Sequence, residues 1–412
     1  VFSKIEVEQE LADLPNTQAH VQAIIEAQQP TGDALNTQKL DRALALANDL
    51  PGMSVQGSLR QGQEAGETEL LLKLYQGRTR QAELSIDNAG SRSTGALRTL
   101  ITLNWFNPND LADLFNVVAV HTQGSNYARM AYSLPVGYNG GRAGLHASYL
   151  HYDVVGTNAY MGLKGQADSA GLDASYPLIR SQMQNLSISA SADLKRFNNT
   201  ALTNPTSRYH TKVVNLGLSG NQFDAWGGGG ANAASLNVVQ GLLQADNDEP
   251  VPSQNNALLT GRYSKLNLNL SRQQAITTDL SLYIAASWQA ASKNLDASEK
   301  IYLGGSGGVR AHPSNEAGGS EGRTLTTELR QRLADRWTLT GFHDYGWVKL
   351  NRNPVSPAPA LGNYNLQGYY GVDLKGTFAK RMGTNPAANT AGLDSDGTLK
   401  THRVWLNAIV SF

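Results

Sequence analysis

The chain has 412 residues with 34 basic and 34 acidic side chains, so no net charge draws it toward nucleic acid or an anionic surface. It holds 41 glycines, no cysteine and only 17% charged residues, which suits a strand-and-turn protein of an envelope compartment that dispenses with disulfides. No apolar stretch approaches the ~20 residues of a spanning helix and no basic segment with an apolar run opens the chain, so an export signal is expected to have been removed and any membrane crossing falls to strands.

Residues 1–76 differ in texture from all that follows. A strand-like run from Ser3 to Gln9 gives way to two helical patterns, Thr17 to Ala27 and Thr37 to Asp49. The second carries Leu40, Ala43, Leu44 and Ala47 on one face, with Asn36 or Thr37 available as its cap. Pro51-Gly52 stops it, and two alternating runs follow, Met53 to Arg60 and Thr68 to Tyr75. The order β-α-α-β-β predicts a small α+β module.

From residue 77 to 412 helix signals nearly vanish. In Leu186 to Lys195 one face reads Leu186, Ile188, Ala190, Ala192 and Leu194, and the other Ser187, Ser189, Ser191, Asp193 and Lys195. Lys265 to Ser271 splits in the same way. The last strand sets Val404, Leu406, Ala408, Val410 and Phe412 against Arg403, Trp405, Asn407, Ile409 and Ser411. A soluble β-sandwich shows the same alternation with its apolar face inward. Against it stand strands long enough for the ~9 to 11 residues of an oblique bilayer crossing, a β region too long for one sandwich, and tight turns alternating with long polar connections. Tyr138-Asn139-Gly140-Gly141 and Arg180-Ser181 are the tight kind; Asn199 to Ser207, Ala245 to Asn256 and Ala297 to Gly322 are predicted to be long. The expectation is a transmembrane β-barrel of about 16 antiparallel strands, wide enough to enclose a channel.

Two motifs make the sequence specific. Glu299-Lys300-Ile301-Tyr302-Leu303-Gly304-Gly305 leads into Gly308-Val309-Arg310-Ala311-His312-Pro313, Glu316 and Gly322, and Gly341-Phe342-His343-Asp344-Tyr345-Gly346 follows. The first resembles the conserved loop of the two-partner secretion transporters, which carries a Val-Arg-Gly-Tyr element; the second resembles that family's Phe-x-Asp-x-Gly strand. Asp87 to Ser91 with Thr94-Gly95 is similar to the family's first barrel hairpin, Tyr132 to Gly137 and Tyr176 to Ser181 to its Pro-containing strand ends, and Leu50-Pro51-Gly52 with Gly66-Glu67-Thr68 to its second POTRA domain. Ala311 and His312 stand where the loop has Gly and Tyr, and Ser320 where an Asp is common. The family's plug helix, linker and first POTRA domain have no counterpart here, so a shortened chain is expected.

The resemblance implies a POTRA domain over 1–76, a 16-stranded barrel over 77–412 and a loop over about 296–322 folded into the lumen. Strand parity places Asp344 with Thr338, Thr340 and Phe342 opposite Trp337, Leu339, Tyr345 and Trp347, on the lumen face. By the resemblance the loop tip, Gly308 to Pro313, brings Arg310 to Asp344 of the wall motif Phe342, Asp344 and Gly346. It also implies that the edge strand Met53, Ser54, Val55, Gln56, Gly57, Ser58, Leu59 and Arg60 takes a strand of the exported protein, and that Phe412 is the aromatic read by the barrel-assembly machinery.

The function so implied is an outer-membrane pore of a Gram-negative bacterium that secretes one large exoprotein, an adhesin, haemolysin or contact-dependent inhibition toxin, with its POTRA domain in the periplasm. Outer-membrane lipid is its other partner. A passive porin and a barrel-assembly factor are the competing readings. No catalytic, metal or cofactor site is expected. Gly227 to Gly230 lacks the Lys-Ser or Lys-Thr pair of a phosphate loop and reads as a turn. His343 and Asp344 point to opposite faces, and the eight histidines lack metal-ligand spacing.

Overall fold

A computed structural model of the chain describes all residues except 10–12, 203, 247–258, 335–336, 354–362, 374–375, 382–384, 386, 389–392 and 412. Strand β1 (Phe2–Gln9), helices α1 (Pro15–Gln28) and α2 (Thr37–Asn48), and strands β2 (Met53–Gln61) and β3 (Thr68–Gln76) form the N-terminal module in the expected order. The Asn36 side chain caps α2 by accepting from the Gln38 and Lys39 N–H groups. The buried face of α2 is Leu40, Ala43, Leu46 and Ala47; Leu44, expected there, is only partly buried. Together with Val21, Ile24 and Ile25 of α1 this face covers Leu70, Leu72 and Leu74, the alternate residues of β3. The sheet order is β1-β3-β2, so β2 is an edge strand paired on one side to β3.

Eleven barrel strands follow before the long loop: β4 (Arg80–Asp87), β5 (Arg98–Phe106), β6 (Leu114–Thr122), β7 (Ser125–Val136), β8 (Gly141–Asp153), β9 (Leu163–Arg180), β10 (Gln184–Ala201), β11 (Asn204–Asp224), β12 (Gly230–Ala245), β13 (Gly261–Ala275) and β14 (Leu280–Ala291). The loop carries a two-residue hairpin, β15 (Ile301–Tyr302) and β16 (Gly318–Gly319). Then come β17 (Glu321–Ala334), β18 (Trp337–Lys349), β19 (Asn363–Asp373), β20 (Gly376–Arg381) and β21 (His402–Ser411). Leaving β15 and β16 aside, sixteen antiparallel strands close into a barrel, with β21 pairing β4 over Asn407↔Asp87 to Ser411↔Glu83.

The apolar faces point outward. Ile188 is 44% and Leu194 60% exposed, while the intervening serines are half-buried. An exposed apolar face with a polar interior is the arrangement of a barrel in lipid. One expectation fails: Asn199 to Ser207 is no long connection. Strands β10 and β11 pair through to Ala201↔Asn204, because Phe197 stacks on Tyr209 (4.7 Å between centroids) and the Asn199 amide donates to Ser207 Oγ. These strands of 18 and 21 residues therefore project well past the ~9 to 11 residues a bilayer requires.

The module is seated on the barrel end that carries the tight turns. Helix α1 has no cap of its own; Asp110, between β5 and β6, accepts from the N–H groups of Asn16 (2.8 Å) and Thr17 (3.0 Å). A carboxylate at a helix N-terminus satisfies unpaired donors and the helix dipole together. Arg180 pairs with Asp49 through two hydrogen bonds of 2.7 Å, Arg42 donates to the Pro177 carbonyl, and Gln28 to Asn139. Gly227 to Gly230 lies in the turn region between β11 and β12, at the same end.

Candidate functional site: a loop held across the lumen

Between Ala291 and Glu321 the chain leaves the wall and re-enters the barrel. Leu303 and Val309 pack without exposure against Val348, and Ala311 against Phe342 and Ala379. Along β18 the buried residues alternate, Thr340, Phe342, Asp344, Gly346 and Val348, whereas Trp337, Gly341 and His343 are exposed. Period two fixes the first set on the lumen side, under the loop.

The tip is a tight turn. Val309 N–H donates to the Leu303 carbonyl (2.7 Å) and His312 N–H to that of Val309 (3.0 Å). A Cβ on Gly308 would lie 2.2 Å from the Leu303 oxygen, so no side chain fits there. The turn presents Arg310 to the wall. Its Nε and its main-chain N–H donate to Asp344 Oδ2 (2.8 and 3.1 Å) and its Nη2 to Oδ1 (2.8 Å). Its Nη1 meets Glu328 Oε1 at 2.8 Å, and its Cζ lies 3.4 Å from the Phe342 ring centroid. The Arg310 carbonyl accepts from Trp405 Nε1 (2.8 Å), and Thr326 Oγ1 donates to Asp344 (3.1 Å). Asp344 and Ala311 are wholly buried, and His312 and Pro313 beside the arginine are buried too.

Three further groups tie the loop down. Ser314 Oγ donates to the Ala89 carbonyl in the first hairpin (2.7 Å). Glu316 accepts from the Ser395 N–H (3.0 Å) and the Asn385 amide (3.1 Å) in the segment before β21. At the base, Glu299 is buried between Lys195 of β10 (3.0 Å) and Lys265 of β13 (2.7 Å), and Asp296 accepts from Tyr209 (3.1 Å). Ser320 accepts from the Leu295 N–H and donates to the Leu350 carbonyl, closing the base through its hydroxyl. The loop is thus bonded to the β10 to β13 wall at one end and to the β17, β18 and β21 wall at the other.

The model of the haemolysin secretion/activation proteins, ShlB/FhaC/HecB, matches residues 66–364, more than half of the chain. The chain belongs to this family. It is 26% identical over 397 residues to the heme/hemopexin transporter protein HuxB of Haemophilus influenzae (strain 86-028NP), covering 93% of this chain and 69% of that protein. It is 24% identical over 365 residues to the outer membrane transporter CdiB-2 of Burkholderia pseudomallei (strain 1026b), covering 85% and 61%. The fold is that of the solved CdiB from Escherichia coli, with a TM-score of 0.77 at 19% identity over 100% of this chain and 76% of that one. As a two-partner secretion transporter the protein is a translocation pore of the Gram-negative outer membrane for a secreted partner protein, and its POTRA domain lies in the periplasm. The barrel end carrying the module and the tight turns is therefore periplasmic, and the long loop enters from outside.

The structure brings Arg310 and Asp344 together, seats Gly346 beneath Val309, and leaves Met53 to Arg60 on a sheet edge whose first part is already taken, since the Asn48 amide holds the Val55 N–H and carbonyl and the Met53 N–H donates to Leu50. Phe412 lies outside the described residues. Glu328, Thr326 and Trp405 were not singled out from sequence, although register pairs Thr326 with Asp344 and Glu328 with Phe342. Glu299 stood inside the loop motif and Lys195 on a polar strand face, but nothing local in the sequence joins them.

Proposed function

We propose that the Arg310 to Asp344 contact is the latch of this secretion pore, that the edge of β2 takes an extended segment of one large exoprotein, and that residues 1–76 are the second of two such modules. The observation that carries the reading is the charge network at the loop tip: one buried guanidinium bonded twice through its side chain to Asp344 and once to Glu328. Inside a lumen such a contact is strong against losing one partner, about 3 to 5 kcal/mol, and weak against losing both. A pore closed by it opens as a unit. Past Val55, whose N–H and carbonyl the Asn48 amide holds, the β2 edge supplies main-chain donors and acceptors for strand addition, so affinity there needs no particular client sequence. Phe412 serves as the signal read during barrel insertion, and folding of the client outside the cell draws it through.

Vesicles carrying the full chain and offered either the unfolded N-terminal region of an adhesin, haemolysin or inhibition toxin, or an unfolded barrel precursor, test the client. Translocation of the first without insertion of the second is expected; insertion of the barrel precursor alone would assign the protein to barrel assembly. Arg310→Ala and Asp344→Ala singly should each alter secretion, and the pair together should do little more than either. Additive effects would remove the latch.

A further inference from the structure

The outer wall of the barrel carries cations with no part in the lumen. On β10 the outward residues Leu186, Ile188, Ala190, Ala192 and Leu194 run upward from the periplasmic end, about one bilayer crossing, and the next on that face is Arg196. On β11 the outward residues Leu218, Leu216 and Val214 are followed by Lys212, and on β13 Leu270, Leu268, Leu266 and Ser264 by Arg262. Each cation therefore stands where its own strand leaves the apolar band on the extracellular side. All three are exposed, and among the described residues none is paired with a carboxylate. Among the described residues the nearby acids are otherwise engaged: Asp168, across from Arg196 on β9, accepts from Gln166, Asp246 meets His210, and Asp153 holds Lys164.

The three stand together within four neighbouring strands; the outward cations Arg323 of β17 and Lys380 of β20 stand apart from them. Lys212 and Arg262 flank Leu242 of β12 in one row, two strand spacings or ~10 Å apart. The row that crosses the extracellular ends of β5 to β8 reads Thr99, His121, Asn126 and His151, without Lys or Arg. In the order of strands around the barrel, β10 to β13 lie opposite the junction of β4 with β21.

We propose that Arg196, Lys212 and Arg262 bind the phosphate groups of lipopolysaccharide, the phosphorylated glycolipid of the outer leaflet, with its acyl chains lying along Leu194, Val214 and Leu216 below. The charge is complementary, the cations sit at headgroup depth in the outer leaflet, and phospholipid of the inner leaflet would lie at the other end of the strands. The inference rests on the outer-membrane orientation given above and not on the latch.

The test titrates the detergent-purified full chain, wild type and R196Q/K212Q/R262Q, with fluorescent lipopolysaccharide, with the same lipid stripped of phosphate, and with inorganic phosphate as competitor. Retained heat resistance of the barrel in gels shows the variant folded; if the triple variant fails there, the K212Q and R262Q single variants carry the measurement. Affinity is expected to fall roughly fivefold for each cation removed, and dephosphorylated lipid should bind wild type as weakly as phosphorylated lipid binds the triple variant. Unchanged affinity in the variant, equal binding of the dephosphorylated lipid, or full competition by inorganic phosphate at equimolar concentration would overturn the proposal. No exoprotein enters the measurement, so its failure leaves the secretion reading intact.

Discussion

Arg310 meets two carboxylates, and each matters for a different reason. Asp344 fixes its direction, because Nε and Nη2 reach both oxygens of one carboxylate, a geometry lysine cannot copy. Glu328 balances the remaining nitrogen and is shared with Arg330 at 2.6 Å, so the cluster closes with two cations and two anions. What lets the arginine approach is a missing side chain. A Cβ on Gly346 would lie 2.9 Å from Val309 Cγ2 and 3.2 Å from Leu303 Cδ1, both on fully buried residues, and valine has little rotamer freedom to yield. Gly346→Ala is therefore expected to lift the loop tip at a cost of about 1 to 3 kcal/mol while leaving the wall strands paired. Protease cleavage within 304–315 should rise and barrel heat resistance stay unchanged. A variant as protected as wild type would show that the tip tolerates the methyl group by sliding.

At the scale of elements, the module is a seated part rather than a tethered one, since α1 takes its cap from Asp110 and its His20 ring packs 5.2 Å from the Tyr138 ring. Burial first, and then the Arg142 charge, hold the His20 imidazole below its usual range. The folded state thus prefers the neutral ring. Above pH ~6.5 both the docked and undocked rings are neutral and docking is at full strength; as pH falls below that value the undocked ring takes a proton that the docked one resists, and docking weakens. Spin labels attached at neutral pH to a Gln28→Cys/Asn139→Cys pair, in a chain with no native cysteine, should show longer, broader separations at pH 5 than at pH 7.5, and a further His20→Gln change should flatten that dependence. A pH response that survives His20→Gln would place the titrating group elsewhere. Helices and strands of the module were legible because each carries its period within a dozen residues, and the polar-apolar alternation of β10 and β13 told lipid from lumen. The misjudged connection at Asn199 to Ser207 was polar enough for a loop, yet cross-strand pairs that no single strand displays kept it in the sheet. Within the site, Arg310 and Asp344 were legible through a family motif and strand parity, whereas Lys195 and Lys265 reach Glu299 only because the barrel closes.

Taken as a whole, the molecule has its loop fastened on both sides of the lumen, by Glu299 to the β10 and β13 wall and by Arg310, Ser314 and Glu316 to the opposite wall and its neighbours. Removing any single bond leaves the others, so point changes should weaken closure without abolishing it, and under the proposed latch passage of a client requires the tip group to let go together. A covalent tie at the tip separates this from a pore in which the client slips past a fixed loop. Ser314 Oγ lies 2.7 Å from the Ala89 carbonyl, and the chain has no native cysteine to confuse pairing. Ala89→Cys/Ser314→Cys, oxidised in the outer membrane, is expected to join the loop to the first hairpin without displacing Arg310. Secretion should then stop, and a membrane-permeant reductant should restore it to the level of the reduced variant, while each single cysteine secretes as wild type under both conditions. Export undiminished in the oxidised, fully crosslinked protein would show that the client passes beside a seated loop, and the latch would lose its part in transport.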